Sequence, residues 1–177
     1  GGWFTQQKFA GGGALADMGI HALDTARFLL GDPQPVSVYA KIETHYKDFD
    51  GDDTGVIFVT WANGVTTYIE SGWWQPHMDG PEASTQLYGT SGFGQLFPTR
   101  LLLAQLPQRE SLTVDPGFPA VRNPHCPQSM YDTQLAYFLD CIRAGRQPSP
   151  GGVEGLLNMR LVDAAYQSAE TGQIVNV

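Results

Sequence analysis

Gly11-Gly12-Gly13-Ala14-Leu15-Ala16-Asp17-Met18-Gly19-Ile20-His21-Ala22-Leu23-Asp24 leads from a run of glycines into a helix-forming segment that continues through Phe28, Leu29 and Leu30. At about 100° per residue, Asp17, His21, Asp24 and Phe28 fall on one stripe. Leu15, Met18, Ala22, Leu23, Ala26, Leu29 and Leu30 fill most other directions, the pattern of a mostly buried helix. A carboxylate and an imidazole one turn apart on such a helix are paired or face a wet cleft, because burying either alone costs several kcal/mol. The stripe is therefore the candidate functional site. A histidine held by a carboxylate one turn away is a suitable proton donor or acceptor near neutral pH. The same spacing also fits a structural ion pair that staples the helix to its neighbours.

Upstream, Gly11-Gly12-Gly13-Ala14-Leu15-Ala16 formally satisfies the G-x-G-x-x-A dinucleotide fingerprint. Its context argues otherwise. Such a loop follows a buried parallel strand, whereas residues 3–9 carry Thr5, Gln6, Gln7 and Lys8, and no second βαβ unit follows. A glycine lead-in that lets other backbone approach closely and starts the helix is the better account.

Downstream, Gly31-Asp32-Pro33 is a helix stop. β-rich runs follow at residues 36–46, 55–62 and 65–73, and Asn63-Gly64 between the last two is a strong hairpin signal. Shorter runs at 83–88, 94–97, 100–106 and 111–114 continue an antiparallel meander, and Gly89-Thr90-Ser91-Gly92-Phe93-Gly94, which looks like a phosphate loop but precedes a short β run, is better read as a tight turn between strands. Two helices, over about 129–144 with Ser129 and Asp132 near its start and over about 153–170, precede a short final strand at 173–177. One helix, a meander and two more helices predict an α+β fold: a large, open, mostly antiparallel sheet with helices packed on one face. Length predicts a single domain over residues 1–177.

Composition narrows the function. A net charge of −8, with Lys8, Lys41 and Lys47 the three lysines, argues against a phosphate-backbone binder. No apolar run is long enough to span a membrane and no signal peptide is evident, so a soluble, by default cytoplasmic, protein is expected. Cys126 and Cys141 lack redox or metal spacing, and His45, His77 and His125 form no ligand motif, so neither a disulfide nor a metal is predicted. Trp73, Trp74, Gln75, Pro76 and His77 at a strand end could wall a ring-shaped substrate, with Trp74 and His77 as contacts, or could equally be core or interface aromatics.

Residues 12–24 with Phe28-Leu29-Leu30-Gly31, the turn Tyr88-Gly89-Thr90-Ser91-Gly92, and Asp163-Ala164-Ala165-Tyr166-Gln167-Ser168-Ala169-Glu170-Thr171-Gly172 before Ile174-Val175 together resemble the C-terminal domain of the Gfo/Idh/MocA oxidoreductases. The resemblance spans almost the whole chain and is weakest over residues 96–126. It implies the substrate-binding and oligomerising half of an oxidoreductase that transfers a hydride between NAD or NADP and a sugar, cyclitol or related polyol. It further implies His21 as the acid/base, Asp17 as the residue that orients it and touches substrate, and Asp24 in support. The cofactor would be held mainly by an N-terminal Rossmann domain; these residues contain neither that half nor a Glu-Lys-Pro segment, so the fragment alone is expected to be inactive. A homodimer or homotetramer through the sheet face is the expected assembly. The alternative is a non-catalytic binding or oligomerisation module of the same fold.

Overall fold

A computed structural model of the chain describes residues 2–45, 50–73, 85–96, 99–105, 110–114, 117 and 128–177. They form two compact units, Gly1–Trp74 with Ser149–Val177, and Gln75–Pro148. Helix α1 (Gln7–Ala10) leads through the triple glycine into a π-helical turn, Leu15–Gly19, that runs directly into α2 (Ile20–Leu29). The strands are β1 (Pro35–Glu43), β2 (Thr54–Trp61), β3 (Thr66–Gly72), β4 (Thr85–Gly89), β5 (Gly92–Leu96), β6 (Arg100–Gln105) and β7 (Glu110–Val114). Helices α3 (Gln128–Arg143) and α4 (Gly152–Thr171) follow, and β8 (Val175–Asn176) closes the chain.

In the first unit the sheet order is β3-β2-β1-β8, antiparallel throughout. The alternation along each strand sends Val38 and Ala40, Ile57 and Val59, and Ile69 inward, where they meet Leu15, Leu23 and Ala26 before and on α2 and Leu161 and Ala165 on α4. Helices thus cover one face, as the pattern predicts. On the other face Tyr39, Phe58 and Tyr68 stand in register across three strands and are exposed, with Phe58 and Tyr68 edge to face at 5.2 Å. The Asn63-Gly64 hairpin forms where expected, with Gly64 at φ 83°.

Two features tie the helices down. Arg27, 2% exposed, donates to the Glu154 carbonyl at 3.2 Å and lies 3.5 Å from Asp24 and 3.2 Å from Asp32. Ser168, fully buried, donates to the Gln173 carbonyl at 2.6 Å and accepts from the Ala40 amide at 3.0 Å, just past the Ser37 and Val38 positions where β8 pairs.

In the second unit β4-β5-β6-β7 form their own antiparallel sheet by successive hairpins. The α+β class holds, but the single large sheet expected is two four-stranded sheets among the described residues. Each of β4 to β7 is paired with its neighbour in sequence, and β4 finds its partner in β5 rather than in β3. Cys141 on α3 is a buried free thiol, and Cys126 lies outside the described residues. No helix of the described residues is long and apolar enough to cross a membrane.

Candidate active site

The site is set by how the glycine run meets the loop before β2. Gly13 lies so close to that loop that a side chain there would overlap the Asp52 backbone. Contact that close lets the Asp52 carboxylate accept from the Gly13 amide at 2.9 Å and the Leu15 amide at 2.7 Å, while its carbonyl accepts from the Ala14 amide at 2.8 Å. Three successive amides at a helix start, which would otherwise lack partners, are satisfied by one residue from a distant loop. The Tyr166 hydroxyl from α4 donates to the same carboxylate at 2.6 Å and accepts from the Gly13 amide at 3.0 Å. Burial, and next the hydrogen bond to Asp52, push the Tyr166 phenol well above its ordinary pKa.

The turn that follows is wider than an α-helical one, with the Ile20 amide donating to the Leu15 carbonyl. Gly19 lets it settle against β3, since a side chain at that position would meet Leu15 at 2.7 Å and Ser71 at 3.3 Å. Two residues beyond Ser71, the Trp73 indole Nε1 donates to Asp17 Oδ2 at 2.9 Å. Asp17 and Trp73 line a hollow of about 150 Å³ together with Trp3, Ala10, Gly12, Gly13 and Ala16. A larger hollow of about 280 Å³, between Arg160, Asp163 and Gln167 of α4 and the end of the chain at Val175, Asn176 and Val177, contains none of the sequence-predicted site residues.

The predicted residues are therefore distributed as follows. Asp17 faces the hollow. His21, one turn on, is exposed to solvent, and among the described residues no hydrogen bond or ion pair joins it to Asp17. The Asp17 carboxylate accepts from Trp73 instead. Asp24 accepts from the Asn158 side-chain amide at 2.7 Å and sits beside Arg27, so its carboxylate serves the packing of α2 on α4 rather than the hollow. Trp74 and His77 lie outside the described residues. Sequence reasoning passed over Asp52, Tyr166 as its partner, and the indole of Trp73 as the group that holds Asp17.

The glycine loop is not a phosphate cradle here, because the amides of Gly13, Ala14 and Leu15 that would bind an anion are already taken by Asp52.

The chain thus combines open antiparallel sheets with a hollow at the start of a sheet-backed helix, walled by the Asp17 carboxylate and two tryptophans. Residues 1–93 match the GFO/IDH/MocA C-terminal domain, and the chain belongs to that family. Among curated proteins it is 28% identical to D-apiose dehydrogenase of Rhizobium rhizogenes over 92% of this chain and 48% of that protein. It is also 28% identical to 1,5-anhydro-D-fructose reductase of Ensifer adhaerens, over 99% of this chain and 51% of that protein. The chain thus spans about half the length of these relatives. Among solved structures, the aldose-aldose oxidoreductase of Caulobacter crescentus complexed with glycerol is 26% identical with a TM-score of 0.71, covering 99% of this chain and 50% of that one. GenD2 from gentamicin A biosynthesis, in complex with NAD, is 25% identical with a TM-score of 0.73, covering 99% and 51%.

Proposed function

We propose that this chain is the substrate side of an NAD(P)-dependent oxidoreductase acting on a sugar, cyclitol or related polyol. The observation that carries the reading is the Asp17 carboxylate, fixed by the Trp73 indole at the wall of a small hollow, with the open imidazole of His21 one turn away. Relatives named as apiose and xylose dehydrogenases and an inositol 2-dehydrogenase point to the same substrate class.

In the proposed reaction a carbon bearing a hydroxyl is oxidised. A bound nicotinamide dinucleotide would supply the hydride acceptor for that carbon. His21 takes the hydroxyl proton, and Asp17, held rigid by Trp73, accepts a hydrogen bond from the substrate and fixes its orientation. Trp73 and Trp3 line the hollow, and such aromatic side chains suit the C–H face of a sugar ring. Because Asp52 occupies the glycine loop, the amides of Gly13, Ala14 and Leu15 are not available to dinucleotide phosphates.

The test is a titration of the 177-residue chain with aldoses and cyclitols, followed by NMR at the His21 imidazole and the Trp73 indole N–H. Saturable shifts of both at millimolar ligand are expected. Silence of both would favour the non-catalytic module.

For the assembly we propose a homo-oligomer that covers the sheet face bearing Tyr39, Phe58 and Tyr68. Lys41 and Glu43, 3.1 Å apart on β1, and Glu70 on β3 flank the aromatic row. Such mixed charge beside an apolar strip suits self-complementary pairing about a two-fold axis, so the partner is a second copy of this chain.

A further inference from the structure

The polar groups around the hollow converge on two neighbouring loop residues that contribute nothing to its wall. Asp52, 6% exposed, holds the start of the π turn through the amides of Gly13, Ala14 and Leu15. Asp53, 1% exposed, accepts the Trp73 backbone amide on its carbonyl at 3.0 Å. Its own amide donates to the Glu43 carbonyl at 3.1 Å, and its carboxylate accepts from the His45 amide at 2.8 Å, which fastens the loop to the end of β1. One dipeptide therefore holds both partners of the Asp17–Trp73 hydrogen bond, the helix start on one side and the strand end on the other.

Tyr166 completes the arrangement. Its hydroxyl reaches from α4 to the same Asp52 oxygen that receives the Gly13 amide, so the oxygen is held from the helix start and from the core at once. A buried carboxylate so fully satisfied has one low-energy orientation.

We infer that Asp52 and Tyr166 are positioning residues, which set the register of the π turn and thereby the placement of Asp17 against Trp73 and the direction in which His21 is presented. The inference deepens the substrate-side reading above, but the geometry it concerns is measurable without any ligand. In Asp52→Asn the carboxamide retains one acceptor and turns a donor toward an amide that also donates. Tyr166→Phe removes only the hydroxyl and leaves the carboxylate with its backbone partners.

The experiment is NMR of the 177-residue chain and both variants, following the Trp73 indole N–H and amide exchange at Gly13 and Leu15. Trp61 supplies an internal control, because its indole donates to Thr67 Oγ1 at 3.1 Å on the sheet. In Asp52→Asn the Trp73 indole should move toward the shift of a solvent-exposed tryptophan and the Leu15 amide should exchange at least tenfold faster, while Trp61 stays in place. Tyr166→Phe should produce a smaller change in the same direction. Should Trp61 move as well in Asp52→Asn, the chain has loosened globally and Tyr166→Phe decides. A Trp73 indole unchanged in a folded variant overturns the inference, whatever polyols do. Silence toward polyols with a displaced Trp73 indole overturns the substrate reading and leaves this one standing.

Discussion

Asp17 and His21 were legible as polar positions on an apolar helix, because helical spacing alone puts them a turn apart. Asp24 shares that spacing, yet its partner Asn158 lies 134 residues further along, and no local pattern announces such a contact. Asp52 was hidden for the same reason: amid Asp50, Gly51 and Asp53 it reads as a solvated turn, and the amides it binds are 37 and 39 residues away. Arg27 illustrates the energetic side. With Asp24, Asp32 and the Glu154 carbonyl around an otherwise buried guanidinium, Arg27→Ala removes one partner and leaves the others facing a gap. Both carboxylates remain partly open to water, so a loss near the lower end of the range for broken buried pairs, about 3 kcal/mol, is expected in denaturant unfolding. Tyr166 gives a pH signature. The folded chain keeps its phenolic proton to higher pH than the unfolded chain does, so the stabilisation is complete below the ordinary tyrosine pKa of about 10 and is lost as pH rises beyond it. Tyr68, raised by its hydrogen bond to Glu70, adds to the same alkaline limb, so the measurement is the difference between the wild-type and Tyr166→Phe unfolding curves, which should narrow above that pH.

Hairpins and helix stops followed from local chemistry: Asn63-Gly64 turned the chain, Gly31 ended α2, and Gly172 ended α4 in the left-handed conformation. The π turn did not follow, because Gly19 is the one departure from an ordinary helical pattern in Leu15–Gly19, and an isolated glycine does not specify a wide turn. It is imposed from outside, by Asp52 gripping its start and by β3 pressing on Gly19. Such wide turns recur at functional sites, where one extra residue in the ring redirects a side chain. The glycine lead-in was read correctly as a close approach of backbone, and Gly13→Ala tests how close. The added methyl must displace the Asp52 loop, and by analogy with overpacked cores the expected cost is about 1–3 kcal/mol in unfolding free energy. A shifted Trp73 indole should accompany it.

The α+β class and the one-sided helical cover were readable from the order and periodicity of the elements. The division into two sheets was not, since strand periodicity is silent about which strand pairs with which. The exposed aromatic row on the first sheet carries the prediction about assembly: Phe58→Asp, which puts a carboxylate between Tyr39 and Tyr68, should reduce the proposed oligomer to monomers in light scattering while leaving the far-ultraviolet dichroism unchanged. The opposite border of that sheet is handled in another way. β8 covers only the first part of β1, and where it ends the Ser168 hydroxyl takes the Ala40 amide in its place. A hydroxyl in the position of a peptide carbonyl acts as a stopper: it saturates the rim of the ladder without offering the next rung. Ser168 is fully buried and Ala40 is 2% exposed, so α4 itself closes this length of the rim and no free donor is left there for an added strand.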